Sequence, residues 1–267
     1  METGRPAVDR VIRGRRAPRW AGETARRFEQ QVGGDRLAWL QAGSGPPLLL
    51  LHGYAGDAQW WRRNLQALAR TRTVYALDMP GFGASRLSGR YTCARSVDLL
   101  ARWMDLHDLV PADVVGHSMG GLLAVLLAAR HPERVRRLVL LAPAGLPFET
   151  GLLGIAVRAM RSRLGADMRF TPIVLRGVLR AGPRVLWQAL GLIRETDIRP
   201  ELASVLVPTL IVWGTRDRLL LSEGAKIFAA AIVDAQVRMI PGGHNLFFDR
   251  AGAVNMLILS FLAQPAP

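Results

Sequence analysis

The chain has 267 residues, of which 50% are hydrophobic, and it carries a formal net charge of +14. This length and apolar content are ordinary for a single α/β core with insertions. No uninterrupted apolar run reaches the roughly 18 residues that a membrane span needs. Cys93 is the only cysteine, which excludes an internal disulfide and a multi-cysteine metal site.

The positive charge is concentrated in two regions. Residues 1–30 contain eight arginines and four carboxylates, and residues 145–200 contain nine arginines and four carboxylates. A charge of this size can indicate nucleic acid or an anionic membrane as a partner, but Lys226 is the only lysine, which favours a general preference for arginine. We therefore interpret the charge as a solvated basic surface and expect no nucleic-acid partner. Since no apolar segment follows the N-terminal arginines, we expect no secretory signal and a cytoplasmic location.

The N-terminal part of the chain changes character near residue 28. Residues 1–27 lack apolar periodicity and contain several Gly and Pro, so we predict a flexible basic tail. Two strand-like runs follow at 28–32 and 37–41, and the Gly33-Gly34-Asp35 sequence between them predicts a hairpin.

From residue 48 onward, short apolar runs alternate with segments of helical periodicity. This alternation predicts a mostly parallel sheet with helices on both faces and right-handed crossovers. Together with the hairpin we count eight strands. The later predicted strands are 48–51, 74–77, 113–116, 136–142, 208–213 and 236–240. The predicted helices are 57–70 with Asp57 as N-cap, 93–107, 122–129, 224–232 and 249–262.

The alternation is interrupted by a long helical stretch. Residues 144–207 carry helical patterns only, which predicts an inserted cap that divides the core into 28–143 and 208–267. Over residues 152–164 the apolar side chains share one face and the arginines lie opposite. We expect the apolar side chains of the cap to face the core and to form an acyl or aromatic pocket there; the alternative is that most of them only pack the cap onto the sheet.

One short motif, Gly116-His117-Ser118-Met119-Gly120, has the context of a nucleophile elbow. An apolar strand precedes it and an Ala/Leu-rich helix follows at once. A serine is a useful nucleophile only when it is exposed on a sharp turn beside a general base. Ser118 is therefore the candidate nucleophile.

Two further polar residues follow predicted strands. Asp217 comes after 208–213 and His244 after 236–240, and ligands of open α/β sheets bind beyond the carboxyl ends of the strands. The order Ser, Asp, His is that of an α/β hydrolase. Asp78 competes with Asp217 but precedes a tight Pro-Gly turn, so Asp217 is preferred.

These motifs together resemble the α/β-hydrolase superfamily, in the group of esterase- and lipase-like serine hydrolases. The resemblance implies an α/β-hydrolase fold, with a mostly parallel eight-stranded sheet flanked by helices and an inserted helical cap. It covers the chain from about residue 30 onward apart from the cap. The matching segments are 52–56, 78–85, 116–121, 213–217 and 242–244.

The resemblance also implies the role of each site residue. Ser118 would be the nucleophile, His244 the general base and then acid, and Asp217 the carboxylate that orients the imidazole. The backbone N–H groups of Tyr54 and Met119 would form the oxyanion hole. No metal and no cofactor is required by this chemistry.

The reaction predicted is hydrolysis of a carboxylic ester through an acyl-enzyme. Serine at the elbow argues against relatives that use aspartate there, such as haloalkane dehalogenases and epoxide hydrolases. Carbon–carbon bond hydrolases of the meta-cleavage type are the first alternative, although they often have Asn where His117 stands. Thioesterase, amidase, lactonase and perhydrolase reactions use the same apparatus. A non-catalytic protein that binds anions or membranes through this fold is the alternative of a different class.

The expected substrate is a small ester with an apolar acyl or aromatic group. The cap arginines leave open an anionic substrate or a peripheral contact with a membrane, and the sequence carries no signal for an oligomeric state. The candidate substrate-binding residues are His52, Gly53, Trp60, Phe148, Met160 and Trp187.

Overall fold

The computed structural model describes residues 11–265, and a nine-stranded sheet forms the centre of this part of the chain. The spatial order of its strands is β1-β2-β3-β5-β4-β6-β7-β8-β9. The strands are β1 Val11–Arg16, β2 Arg26–Val32, β3 Asp35–Ala42, β4 Pro47–Leu51, β5 Thr73–Asp78, β6 Ala112–His117, β7 Val135–Leu141, β8 Thr209–Gly214 and β9 Ala235–Ile240.

The sheet is antiparallel at one side and parallel over the rest. Strands β1, β2, β3 and β5 pair antiparallel in that order, whereas β5, β4, β6, β7, β8 and β9 are all parallel neighbours. The four leucines of β4 are buried, as expected for a parallel strand covered by helices on both faces. The carboxyl ends of β4, β6, β8 and β9 therefore meet at one edge of the sheet.

The helices enclose this sheet and form the predicted cap segment. The predicted helix 57–70 is a 3-10 helix, Ala58–Arg63, followed by one α-helical turn, and the Asp57 carboxylate accepts the Gln59 N–H at 2.9 Å as its N-cap. The predicted helix 249–262 is divided into α8 and α9. The α-helices are α1 Leu65–Leu68, α2 Cys93–Leu106, α3 Met119–Arg130, α4 Leu152–Ser162, α5 Thr171–Glu195, α6 Arg199–Leu202, α7 Gly224–Ala231, α8 Leu246–Asp249 and α9 Ala251–Leu262.

The prediction of a flexible tail is wrong for residues 11–27. Strand β1 pairs with β2, and Ala21 and Ala25 are fully buried in the turn between them. An edge strand forms main-chain hydrogen bonds with one neighbouring strand only, and it can form without an alternating apolar pattern. This strand accounts for the ninth position in a sheet predicted to have eight. Residues 1–10 of the predicted tail lie outside the described residues.

The cap segment, predicted as 144–207, contains α4, α5 and α6. Helix α5 is kinked at Gly182, whose φ is +75°, just before Pro183. The expectation that the apolar face of α4 packs on the core is wrong, because Leu153 is 80% and Met160 is 68% exposed. Ile155 is the one buried residue of α4. Periodicity identifies an apolar face but does not say what covers it. Among the described residues, no helix is long and apolar enough to cross a membrane.

Candidate active site

Ser118 occupies a strained turn between β6 and α3. Its φ is +52° and its ψ is −117°, a region that residues other than glycine rarely adopt and that costs about 1–3 kcal/mol. A hydrogen bond stabilises this turn: the Ser118 N–H donates to the carbonyl of Leu141, at the end of β7, at 3.1 Å. A side chain on Gly120 would lie 2.3 Å from the Leu51 carbonyl oxygen, so only glycine permits this approach of helix to strand.

His244 and Asp217 form a buried pair at the carboxyl edge of the sheet. His244 Nδ1 lies 2.8 Å from Asp217 Oδ2, and each residue is 5% exposed. The other oxygen of Asp217 accepts the N–H groups of Leu219 at 2.9 Å and Leu220 at 3.0 Å. With its Nδ1–H held by the carboxylate, the imidazole presents Nε2 as a proton acceptor, which is what a serine nucleophile requires.

The loops that carry this pair are joined through their backbones. The Thr215 N–H donates to the Ile240 carbonyl at 2.9 Å, and the Arg216 N–H donates to the Gly242 carbonyl at 2.9 Å. Because these peptide groups connect the loop after β8 to the loop after β9, the carboxylate and the imidazole are aligned by main-chain contacts as well as by their own hydrogen bond.

His117, next to Ser118 in the chain, brings the elbow and the His244 loop together. Its Nε2–H donates to the His244 carbonyl at 3.1 Å, and the two rings are 4.8 Å apart. Burial, and then repulsion from His244, lowers the pKa of His117 well below its usual value. His117 is therefore a neutral packing residue that positions the loop of the candidate base.

His52 is a structural residue, and its prediction as a substrate contact is corrected. It is fully buried, its Nε2 accepts the Met79 N–H at 2.9 Å, and its Nδ1–H donates to the Gly53 carbonyl at 2.8 Å. Burial lowers the pKa of His52 to about 4. The neutral ring ties the end of β4 to the end of β5.

The two residues predicted to supply oxyanion-hole donors lie close to Ser118 in the fold. Met119 begins α3, and the first N–H groups of a helix have no acceptor within the helix. Tyr54 follows Gly53, where a Cβ would lie 3.2 Å from the Ser118 Cβ, so this loop passes directly over the elbow. The Tyr54 hydroxyl donates to the Leu186 carbonyl of α5 at 3.1 Å. The loop of one candidate donor is thus in contact with the cap.

Comparison with known proteins identifies the family of the chain. A family model described as the alpha/beta hydrolase fold matches residues 46–165. The pimeloyl-[acyl-carrier protein] methyl ester esterase of Chromobacterium violaceum is 31% identical over 224 residues, which cover 74% of this chain and 87% of the esterase. The chain belongs to the α/β-hydrolase family. The predicted superfamily and the predicted type of fold are confirmed.

Two other relatives of this α/β hydrolase have names that describe different activities. The dihydrolipoyllysine-residue acetyltransferase component of the acetoin cleaving system of Cupriavidus necator is 44% identical over 258 residues, covering 86% of this chain and 67% of that protein. The 2-hydroxymuconate semialdehyde hydrolase of Pseudomonas sp. strain CF600 is 30% identical over 263 residues, covering 86% of this chain and 92% of that protein. Family membership alone therefore leaves the reaction open.

A cavity of about 360 Å³ lies beside the elbow of this α/β hydrolase, between the end of β7, the cap and α7. One wall residue, Ala144, donates its N–H to the Ser118 carbonyl at 2.9 Å. Ser118, Asp217 and His244 do not themselves line the cavity. Its apolar lining includes Leu146, Phe148, Trp213, Leu219, Leu220 and Ile227, and its charged lining is Glu149, Arg158, Arg199 and Glu223.

Sequence reasoning identified only Phe148 among these lining residues. Leu146 lies in the loop after β7, and Leu219 and Leu220 lie two and three residues after Asp217 in the loop after β8, so their position in loops beyond strand ends was a usable signal. A second cavity, of about 330 Å³, adjoins the His244 loop at Gly242 and Gly243.

The other predicted substrate contacts lie apart from this cavity. Trp60 is 5% exposed and is stacked on Phe247, with ring centroids 5.7 Å apart, so it packs the core beneath His117. Met160 and Trp187 are 68% and 67% exposed on the cap, and neither lines the two cavities. Among residues 11–265, no group of three or more His, Cys, Asp or Glu side chains is placed to hold a metal ion.

Proposed function

We propose that this α/β hydrolase is a serine hydrolase that cleaves carboxylic esters through an acyl-enzyme. The observation that carries the proposal is the buried His244–Asp217 pair, at 2.8 Å, on loops that His117 connects to the strained Ser118 turn. Strain of this kind persists only where the surrounding structure enforces it, and it is common at active sites.

In the proposed reaction, the Ser118 hydroxyl oxygen attacks the ester carbonyl carbon while His244 Nε2 takes the hydroxyl proton. The N–H groups of Tyr54 and Met119 stabilise the negative oxygen of the tetrahedral intermediate. His244 then gives its proton to the departing alkoxide, which leaves as the alcohol. Water attacks the acyl-enzyme in the same way and releases the acid. Asp217 holds the imidazole in the required tautomer throughout.

We place the apolar acyl or aromatic group of the ester in the cavity beside the elbow. The apolar wall around Leu146, Phe148 and Leu220 suits such a group, and Ala144 connects that wall to Ser118. The similarity to a methyl ester esterase supports an ester as the substrate. A cytoplasmic location stays a prediction.

Carbon–carbon bond hydrolysis is the second candidate, because a relative that covers nearly the same length is a 2-hydroxymuconate semialdehyde hydrolase. That reaction would use the same serine and histidine. A non-catalytic binding role on this fold is the remaining alternative.

The first test is hydrolysis of p-nitrophenyl esters from acetate to laurate by the parent protein and by Ser118→Ala. We expect the substitution to lower kcat by about 10,000-fold or more, and we expect the chain-length optimum to report the size of the pocket. Ser204, which is exposed, provides the matched control, and Ser204→Ala should leave kcat unchanged. Cleavage by Ser118→Ala at the parent rate would refute the proposal.

If the parent cleaves no ester, two measurements separate the alternatives. Turnover of a dienoic meta-cleavage product would support carbon–carbon hydrolysis. Failure of a fluorophosphonate to label Ser118, read by mass spectrometry, would support a non-catalytic role.

A further inference from the structure

The outer surface of the cap is unusually apolar for a surface that faces solvent. In the described chain, nine of the seventeen large apolar side chains that are exposed lie between residues 152 and 187. Scattered exposed leucines are normal, but concentrated patches mark interaction sites. We call this region the outer cap surface. Its members include Leu153, Met160, Leu164, Leu175 and Leu179, each 59–80% exposed.

The exposed side chains follow helical spacing and point away from the core. On α4, Leu153 and Met160 lie seven residues apart on one side, and the buried Ile155 lies on the other. On the first half of α5, Leu175 and Leu179 are four residues apart, opposite the buried Ile173. Each helix therefore presents one apolar stripe to the core and another to solvent.

The net charge of the same region is strongly positive. Residues 152–187 contain seven arginines and one carboxylate, Asp167, which is paired with Arg63 at 2.6 Å. Arg161 and Arg184 are exposed. A second copy of this chain would bring two such basic surfaces together, which like-charge repulsion disfavours. An anionic surface is the complementary partner.

We propose that the outer cap surface docks onto a bilayer that contains anionic phospholipids. Helices with exposed Leu and Met on one side and arginine beside them lie in the plane of a membrane interface, with apolar side chains about 5–10 Å deep. Arginine side chains extend their charged ends to the phosphates while their stems stay among apolar groups. Docking in this way places the bilayer on the side of the cap that faces away from the sheet.

The test is co-sedimentation of the full chain with vesicles of equimolar phosphatidylglycerol and phosphatidylcholine, compared with phosphatidylcholine alone. We expect binding to the anionic vesicles that weakens as salt is raised, and at least tenfold weaker binding to the neutral ones. This readout involves no catalysis, so its outcome is independent of the proposed esterase activity.

Two variants probe the two parts of the proposal. The triple variant Leu153→Gln/Met160→Gln/Leu175→Gln should bind anionic vesicles about tenfold or more weakly, because it removes buried apolar area in the bound state. The double variant Arg161→Gln/Arg184→Gln should also lose about tenfold, and this loss should vanish at high salt. The matched controls Val233→Gln/Met256→Gln, which are 83% and 66% exposed elsewhere, and Arg70→Gln should bind like the parent.

Three results would overturn the proposal. They are no binding of the parent to anionic vesicles, equal binding by the parent and both variants, and a drop in solution mass of the triple variant by sedimentation velocity. The last result would identify the outer cap surface as a contact between protein chains. Circular dichroism and thermal unfolding of each variant establish that the fold is intact, and the arginine variant tests the idea even if the apolar one does not fold.

Discussion

Helices α3 and α4 are both rich in apolar residues, yet they are packed in opposite ways. Every residue of α3 from Met119 to Ala128 is buried, whereas Ile155 is the one buried residue of α4. Helix α3 directly follows Ser118, so the turn that carries the candidate nucleophile is fixed by a helix enclosed on all sides. The cap helix is held by few contacts. Helix α3 therefore lies inside the core beside the candidate nucleophile, whereas α4 lies at the surface of the cap.

The largest expected difference between the regions is in activity. Asp217→Asn should lower kcat for a p-nitrophenyl ester by about 10,000-fold, because the amide no longer holds the imidazole in the required tautomer. Met160→Gln on α4 should change kcat less than twofold, since Met160 is exposed. Steady-state kinetics of the two variants checks this. Similar losses in both would contradict the division between core and cap.

A matched pair of leucines tests the same division through stability. Leu127→Ala on α3 removes a fully buried side chain and should lower the free energy of unfolding by about 2–5 kcal/mol. Leu153→Ala on α4, which is 80% exposed, should change it by no more than about 0.5 kcal/mol. Urea denaturation measures both. A large cost at Leu153 would indicate that a partner chain covers it.

Two glycines of α5 test a contact between the cap and the loop that carries Tyr54. A Cβ on Gly177 would lie 1.9 Å from the carbonyl oxygen of Ala55, the residue after Tyr54. A Cβ on Gly191 would have no neighbouring atom within 4 Å. Gly177→Ala should therefore displace the cap or the loop that carries Tyr54. Because the candidate oxyanion-hole donor would then be misplaced, kcat/KM should fall about tenfold. Gly191→Ala should leave kcat/KM unchanged and raise the free energy of unfolding by about 0.5–1 kcal/mol. Equal kinetics for both variants would show that the loop is free to move.

The smallest expected effect is a pH-dependent change in stability at Asp57, which lies between the loop that carries Tyr54 and the cap. Burial, and then repulsion from Asp78, raises its pKa to about 6. This pKa is above that of the unfolded chain, so as the pH falls the folded protein binds the proton at a higher pH than the unfolded chain does. The Asp57 carboxylate therefore destabilises the fold above about pH 6, and this effect disappears as the pH falls toward 4. Asp57→Asn should therefore raise the free energy of unfolding by on the order of 1 kcal/mol at pH 8, with the difference closing between pH 6 and pH 4.

Urea denaturation across this pH range tests the Asp57 prediction. The matched control is Asp98→Asn, which alters an exposed carboxylate on α2 and should not change the pH dependence. A difference that grows as the pH falls would contradict the assigned direction.

Much of the core was predictable because local chemistry determines it. Glycines flanking Ser118 indicated the elbow, and Gly33 and Gly34, with φ of +56° and +86°, form the predicted hairpin turn. Asp217 and His244 were found from their positions after strands, and the structure brings them within hydrogen-bond distance. Each of these signals lies within a few residues of the feature it predicts.

The rest depended on contacts between distant segments. Strand β1 is held by main-chain bonding to β2 and has no apolar pattern of its own. The cavity wall combines residues from the end of β7, the cap and α7, so the sequence does not show that Leu146 and Ile227 line the same cavity. Met160 and Trp187 belong to genuine apolar faces, but the direction in which a face points is set by tertiary packing, and both side chains point outward.

Strand β1 also affects the tendency of the protein to aggregate. As the outermost described strand, it pairs with β2 through Val11↔Gln30 and Arg16↔Arg26, and its sequence places arginine at Arg13, Arg15 and Arg16. Charged residues on an outer strand discourage another chain from adding to the sheet. The sequence suggests that the folded part begins after residue 27. A protein that lacks residues 1–27 would expose the N–H and C=O groups of β2 that pair with β1 in the intact protein. That shortened protein would be prone to aggregation by strand addition, although every residue of the candidate site would still be present.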